Sequence, residues 1–167
     1  SFRKAWQKIV DQKLSAGLIF EDDVSLDLET FNESLTSALK WINKYGYIQF
    51  QVREIPKKSK IVMSNDSIQL LQPSPTLLRC SAQLVSFYTA KKLLDITNKF
   101  DRPVDTLIQS NWHTGINITS IKPSGVKDNT YASGGSNLSL HMPLAKRLKQ
   151  EYKRVKYRHS IKKYDKL

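Results

Sequence analysis

Six residues constrain this chain more than any others: Leu18-Ile19-Phe20 runs straight into Glu21-Asp22-Asp23, and the apolar Val24 follows at once. The run from Ala16 to Phe20 has the length of a buried strand and carries the β-branched and aromatic residues that strands favour. Three adjacent carboxylates repel one another unless a cation or a helix N-terminus neutralises them. Delivered at the carboxyl end of a strand, they stand where open α/β sheets bind ligands. Hard oxygen donors in such a place suit magnesium or manganese, with phosphate completing the coordination. A solvated loop after a strand is the alternative, and the rest of the chain has to decide between the two.

The chain has 167 residues, of which 40% are apolar and 25% charged. That composition describes one globular domain able to bury a core. Cys80 is the single cysteine, so no intrachain disulfide forms and a reducing compartment is the simpler setting. No stretch resembles a signal peptide or reaches the roughly 18 apolar residues of a membrane span. The formal charge of +12 is uneven, because residues 146–167 hold ten Lys or Arg against only Glu151 and Asp165. A basic tail of this kind meets nucleic acid, anionic lipid or water. No nucleic-acid reader motif accompanies it, so no nucleic-acid partner is expected.

Periodicity places the remaining elements. Phe2, Trp6, Ile9, Val10 and Leu14 predict an amphipathic helix over 2–14, with Gly17 in the turn region before the strand. Thr30-Phe31-Asn32-Glu33 has the pattern of a capping box, and Phe31, Leu35, Ala38, Leu39 and Ile42 form one face of the following helix. Residues 47–52 alternate like a half-buried strand. Lys57, Lys58 and Lys60 fall in a polar connection, and Ile68 to Leu71 gives a further strand before Pro73 and Pro75. Leu84-Val85 is a short strand, followed by a helix over 88–98 that buries Ala90, Leu93, Leu94 and Thr97. Pro103 opens another helix with Leu107, Ile108 and Trp112 as core candidates. Ile116, Ile118 and Ile121 predict a strand before Pro123, and 124–137 reads as a loop. A last helix over 143–160 has Leu144, Leu148, Tyr152 and Val155 on a narrow stripe with bases elsewhere.

Three stretches, in this order, resemble glycosyltransferase family 25, the bacterial lipopolysaccharide and lipooligosaccharide glycosyltransferases related to collagen galactosyltransferases. They are Leu18 to Val24; Ala82-Gln83-Leu84-Val85-Ser86 with Ala90-Lys91-Lys92-Leu93-Leu94 and Pro103-Val104-Asp105; and Ile121-Lys122-Pro123 with a serine-bearing loop near Ser133 or Ser136. Ser1 and Trp6 fit the helix that this family places before its acidic motif. The resemblance implies a GT-A-type, Rossmann-like α/β nucleotide-sugar transferase fold over 1–140, with a basic amphipathic helix over 141–167. It also implies transfer of a hexose, galactose from UDP-galactose, with inversion onto a lipopolysaccharide-type acceptor. Two departures stand out. Arg79, Cys80, Ser81 and Gln83 occupy a region where the family has a Gly-Thr-like pair and an aromatic. Family members also begin with an upstream βαβ segment that holds the uracil and ribose, so the chain as read here is expected to lack that wall.

The roles expected from this comparison are specific. Asp23 binds a manganese or magnesium ion bridging the donor diphosphate, Glu21 stands beside it, and Asp22 meets the ribose or backbone amides. An inverting transferase needs a base for the acceptor hydroxyl, and Asp105 matches the Pro-Val-Asp position; a dipole-complementing acid near a helix start is the alternative. Trp112 is a candidate sugar platform or a core aromatic, and His141 a candidate late-loop ligand. His113 and His159 read as surface histidines, and Cys80 as structural. Lys146, Arg147, Lys153 and Arg154 are candidate contacts to an anionic membrane, since the tail combines an apolar stripe with bases as interfacial helices do. The expected location is cytoplasmic, peripheral at the inner face of the cytoplasmic membrane. A transferase domain that has lost donor binding, or a basic nucleic-acid module, are the other readings.

Overall fold

A computed structural model describes residues 2–98, 103–129 and, in a helical C-terminal stretch, Val155, Tyr157, 159–161, Lys163 and Tyr164. In chain order the elements are α1 (Phe2–Asp11), β1 (Ala16–Phe20), β2 (Val24–Leu26), α2 (Leu28–Tyr45), β3 (Tyr47–Phe50), β4 (Lys60–Ser64), β5 (Gln69–Gln72), β6 (Ala82–Ser86), α3 (Phe87–Ile96), α4 (Val104–Gln109), α5 (Asn111–Thr114), β7 (Thr119–Lys122) and β8 (Val126–Asp128). Six strands form one sheet in the order β1-β6-β3-β7-β5-β4, and β2 pairs with β8 in a second, two-stranded sheet. β3 runs parallel to β7, while β6 is antiparallel to both β1 and β3. The carboxyl ends of β1, β3 and β7 therefore share one edge of the main sheet, together with the start of β6.

Two cores sandwich this sheet. On one face Phe31, Ala38 and Ile42 of α2 pack on Ile48, Phe50, Leu70, Leu84 and Ile121. On the other, Trp6 and Ile9 of α1, Ala90 and Leu93 of α3 and Ile108 of α4 pack on Tyr47 and Val85. The arrangement is a mixed α/β domain with helices on both faces, as the sequence implies.

Several local expectations are corrected. The strand over 47–52 is not half-buried: Tyr47, Ile48, Gln49 and Phe50 are all buried, because β3 lies in the middle of the sheet under helices on both faces. Its polar positions are satisfied internally, Gln49 Nε2 donating to the carbonyls of Leu77 and Arg79. Thr30 does not cap α2. Asp27 does, in an extended conformation, its side chain accepting from the Thr30 amide, which starts the helix three residues earlier and puts Thr30 in its first turn. Leu39 is exposed rather than core. α1 stops at Asp11, and the left-handed Lys13 (φ 52°) turns the chain so that Leu14 sits half out of the core.

β1 is an edge strand of intermediate burial rather than a buried one. Lys60 belongs to β4 rather than to a connection. The loop expected over 124–137 contains β8, which β2 recruits through Val24–Asp128, Ser25–Lys127 and Leu26–Val126. Val155 of the expected apolar stripe is exposed, whereas Tyr157 is half-buried and donates to the carbonyl oxygen of Thr106 at 3.3 Å. The segment 130–154, with Ser133, Ser136, His141, Lys146, Arg147, Lys153, Arg154 and the boundary expected at 140, lies outside the described residues.

Candidate functional site

The acidic triplet begins where β1 ends. The Glu21 amide donates to the Ser81 carbonyl at 2.8 Å, extending the β1–β6 ladder by one bond. The chain then turns through Asp22 and Asp23 and re-enters a strand at Val24. The turn is pinned by β8, since the Asn129 amide donates to the Asp23 carbonyl at 2.8 Å. Glu21 and Asp23 are half-buried and Asp22 is exposed. This is the split that alternation along an extended chain gives.

Electrostatics shows which side chains share this corner. Burial raises the Glu21 carboxyl above its ordinary range, and Asp23 and, more weakly, Asp105 raise it further; the Ser81 hydroxyl and the Arg79 guanidinium act the other way. Ser81 Oγ is buried beside Glu21 without meeting the geometry of a hydrogen bond. Asp105, on the first turn of α4, thus reaches the same corner from a distant part of the sequence. Its carboxylate is oriented by its neighbour, Oδ1 accepting from the Thr106 amide at 2.8 Å and from the Thr106 hydroxyl at 3.3 Å. Arg79 comes from the connection into β6 and forms an ion pair with Asp128 Oδ2 at 2.5 Å.

Behind the carboxylates lies a buried polar pair. Tyr47 donates its phenol proton to Gln83 Oε1 at 2.5 Å and lies 3.9 Å from Cys80 Sγ. Burial pushes the Cys80 thiol up to about 12, with Asp105 and Glu21 adding to the shift and the Tyr47 contact opposing it. Burial likewise drives the Tyr47 phenol well above its usual range. Cys80 is therefore a protonated structural thiol, as its sequence context implies. A thiol that ionises near pH 8.5 when unfolded and near 12 when folded leaves stability intact below pH 8.5. Above that the unfolded chain loses its proton and the folded one does not, so stability falls as pH rises. Urea denaturation from pH 8.5 to 10 is expected to show a loss of about 2 kcal/mol that is absent in Cys80→Ala. Iodoacetamide at pH 8 is expected to modify the thiol only in denaturant.

The other candidates divide. Trp112, on α5, is half-buried; it stacks on Tyr164 with ring centroids 5.7 Å apart, and its buried Nε1 has no hydrogen-bond partner. Its ring thus packs on the C-terminal stretch through Tyr164. His113 and His159 are exposed. His141 and the tail bases Lys146, Arg147, Lys153 and Arg154 lie outside the described residues. Sequence reasoning did not assign Asp128 to the corner, because it fell in a stretch read as a loop. Arg79 and Ser81 stand out in the sequence only as departures from the family pattern.

The carboxylate pair suits a hard divalent cation. Asp23 opposes the ionisation of Glu21, a crowding of like charge that a cation relieves. Among the described residues no group of three or more His, Cys, Asp or Glu is placed to hold a metal ion by itself. Magnesium and manganese do not need such a cage: one or two carboxylates suffice when water and phosphate fill the remaining positions.

A family model described as glycosyltransferase family 25 (LPS biosynthesis protein) matches residues 1–108. The chain belongs to glycosyltransferase family 25. No curated protein matches it. The matched span contains Glu21, Asp22, Asp23, Arg79, Ser81 and Asp105, and ends before Trp112 and β7. Membership of this family makes the chain a glycosyltransferase of lipopolysaccharide biosynthesis, with a sugar donor and a lipopolysaccharide acceptor in general terms. Among the described residues no helix is long and apolar enough to cross a membrane.

Proposed function

We propose that this protein is an inverting, metal-dependent hexosyltransferase of GT-A type that moves galactose from UDP-galactose onto a lipopolysaccharide or lipooligosaccharide acceptor. The observation that carries the reading is the convergence of Glu21, Asp23 and Asp105 on one corner at the carboxyl edge of the sheet. Asp23 and Glu21 would hold a manganese or magnesium ion. Bound there, the ion would supply positive charge to offset what develops on the departing UDP. Asp22, exposed at the turn, would meet the ribose hydroxyls or backbone amides. Asp105, held in one orientation by Thr106, takes the proton of the acceptor hydroxyl as that oxygen attacks the anomeric carbon. A peripheral position at the inner face of the cytoplasmic membrane fits an acceptor that is lipid-linked, and the tail's basic residues would serve that docking.

The test is transfer of radiolabelled galactose from UDP-galactose to a truncated lipooligosaccharide by the natural protein. Product is expected with manganese and not after chelation, and its anomeric configuration by NMR is expected to be β. Full transfer in the presence of chelator would remove the metal from the proposal, and an α product would remove inversion.

A further inference from the structure

The candidate corner is crowded with negative charge, yet a nucleoside diphosphate donor is itself an anion. Asp23 and Asp105 both raise the Glu21 carboxyl there, and Asp128 stands opposite Val24 in the β2–β8 pair. Arg79 is a cation among them: its guanidinium pairs with Asp128 at 2.5 Å and offsets the raised Glu21 carboxyl.

Two features hold it there. Arg79 has a left-handed backbone, φ 84°, which a non-glycine residue adopts at an energetic cost and which clusters at ligand-binding positions. Its carbonyl is gripped at 2.9 Å by Gln49 Nε2 from the buried centre of the sheet. The side chain is a planar fork of N–H donors whose geometry suits phosphate oxygens as well as carboxylates.

We infer that Arg79 is the anion receptor of this corner, binding the diphosphate of the donor, and that Asp128 orients its guanidinium and competes with the ligand for it. The inference rests on the proposed nucleotide-sugar reading for its ligand, and on the juxtaposition of Arg79, Asp128 and the Glu21–Asp23 pair for its place. The alternative is that Arg79 merely ties the connection before β6 to β8.

The two readings separate because they predict different signs for the two partners. Calorimetry with inorganic pyrophosphate and with UDP, each with and without manganese, is expected to show Arg79→Gln weakening both ligands at least tenfold in either condition. Arg79→Lys, which keeps the charge but loses the fork, is expected to recover part of that loss. Asp128→Asn is expected to bind pyrophosphate as tightly as the wild type or up to a few-fold tighter, because a competing carboxylate is gone. If Arg79 is only a tie, Arg79→Gln and Asp128→Asn lower the melting temperature alike and leave pyrophosphate affinity within twofold of the wild type, and the inference fails. It fails equally if the wild type binds no pyrophosphate. If pyrophosphate binds in an Arg79-dependent way and UDP binds no more tightly, the nucleotide-donor reading fails while the anion receptor stands.

Discussion

Asp23→Asn is expected to lower kcat/KM for sugar transfer by about a thousandfold or more, with a melting temperature at or slightly above that of the wild type. The substitution keeps the shape of a half-buried side chain at the β1–β2 turn and removes its charge. Because Asp23 opposes the ionisation of Glu21, the substitution also relieves a like-charge repulsion in the folded protein. Asp105→Asn is expected to behave differently. It should lower kcat by roughly 10²–10⁴, the range for a lost general base, and leave donor binding within a few-fold. Calorimetric titration of UDP with manganese separates the pair: binding is lost in Asp23→Asn and kept in Asp105→Asn. Wild-type transfer by Asp23→Asn would end the metal role assigned to it. Loss of UDP binding by Asp105→Asn would move Asp105 from the acceptor to the donor side.

What the sequence showed of this corner followed from local pattern. An apolar run that stops on carboxylates is a strand delivering charge to its end, and β1 does so within a residue of expectation. The helical faces of α1, α2 and α3 were legible for the same reason, because burial on one side imposes a 3.6-residue period. Tyr47 to Phe50 misled because alternation records only which side chains face which way. Whether the second face meets water depends on helices far along the chain, here α1 and α3. The same limit hid the corner's second half. Nothing local to Asp128 marks it as a partner of Arg79; the pair exists because β2 takes β8 as its neighbour across a separation of about a hundred residues. Asp105 was reached by resemblance, and its proximity to Glu21 is a property of how α4 packs, not of the Pro-Val-Asp spelling.

That long-range pairing hangs on Gly125, and Gly125→Ala is expected to destabilise the fold by about 2–5 kcal/mol. Gly125 has φ +69°, and a Cβ there would stand 2.6 Å from Phe31 Cα and overlap the Phe31 backbone nitrogen. Phe31 lies in the first turns of α2 with its amide donating to the Asp27 carbonyl at 2.8 Å, so the helix cannot yield. The glycine's own carbonyl accepts from the Asp27 amide at 2.8 Å, and the hydroxyl of Ser34 on α2 donates to the Pro123 carbonyl at 2.6 Å. Moving 123–126 away from α2 breaks these bonds and shifts Val126 off Leu26, and with it the register that sets Asp128 beside Val24.

Urea denaturation is expected to record the lost stability. Lys127→Ala, at an exposed position of the same strand, is expected to leave it unchanged. Gly125→Asn isolates the cause, since asparagine tolerates left-handed backbone far better than alanine. It is expected to recover less than about 1 kcal/mol of the loss, because the collision comes from the Cβ that both residues share; recovery of wild-type stability would mean that the strain is conformational and that α2 has room to move.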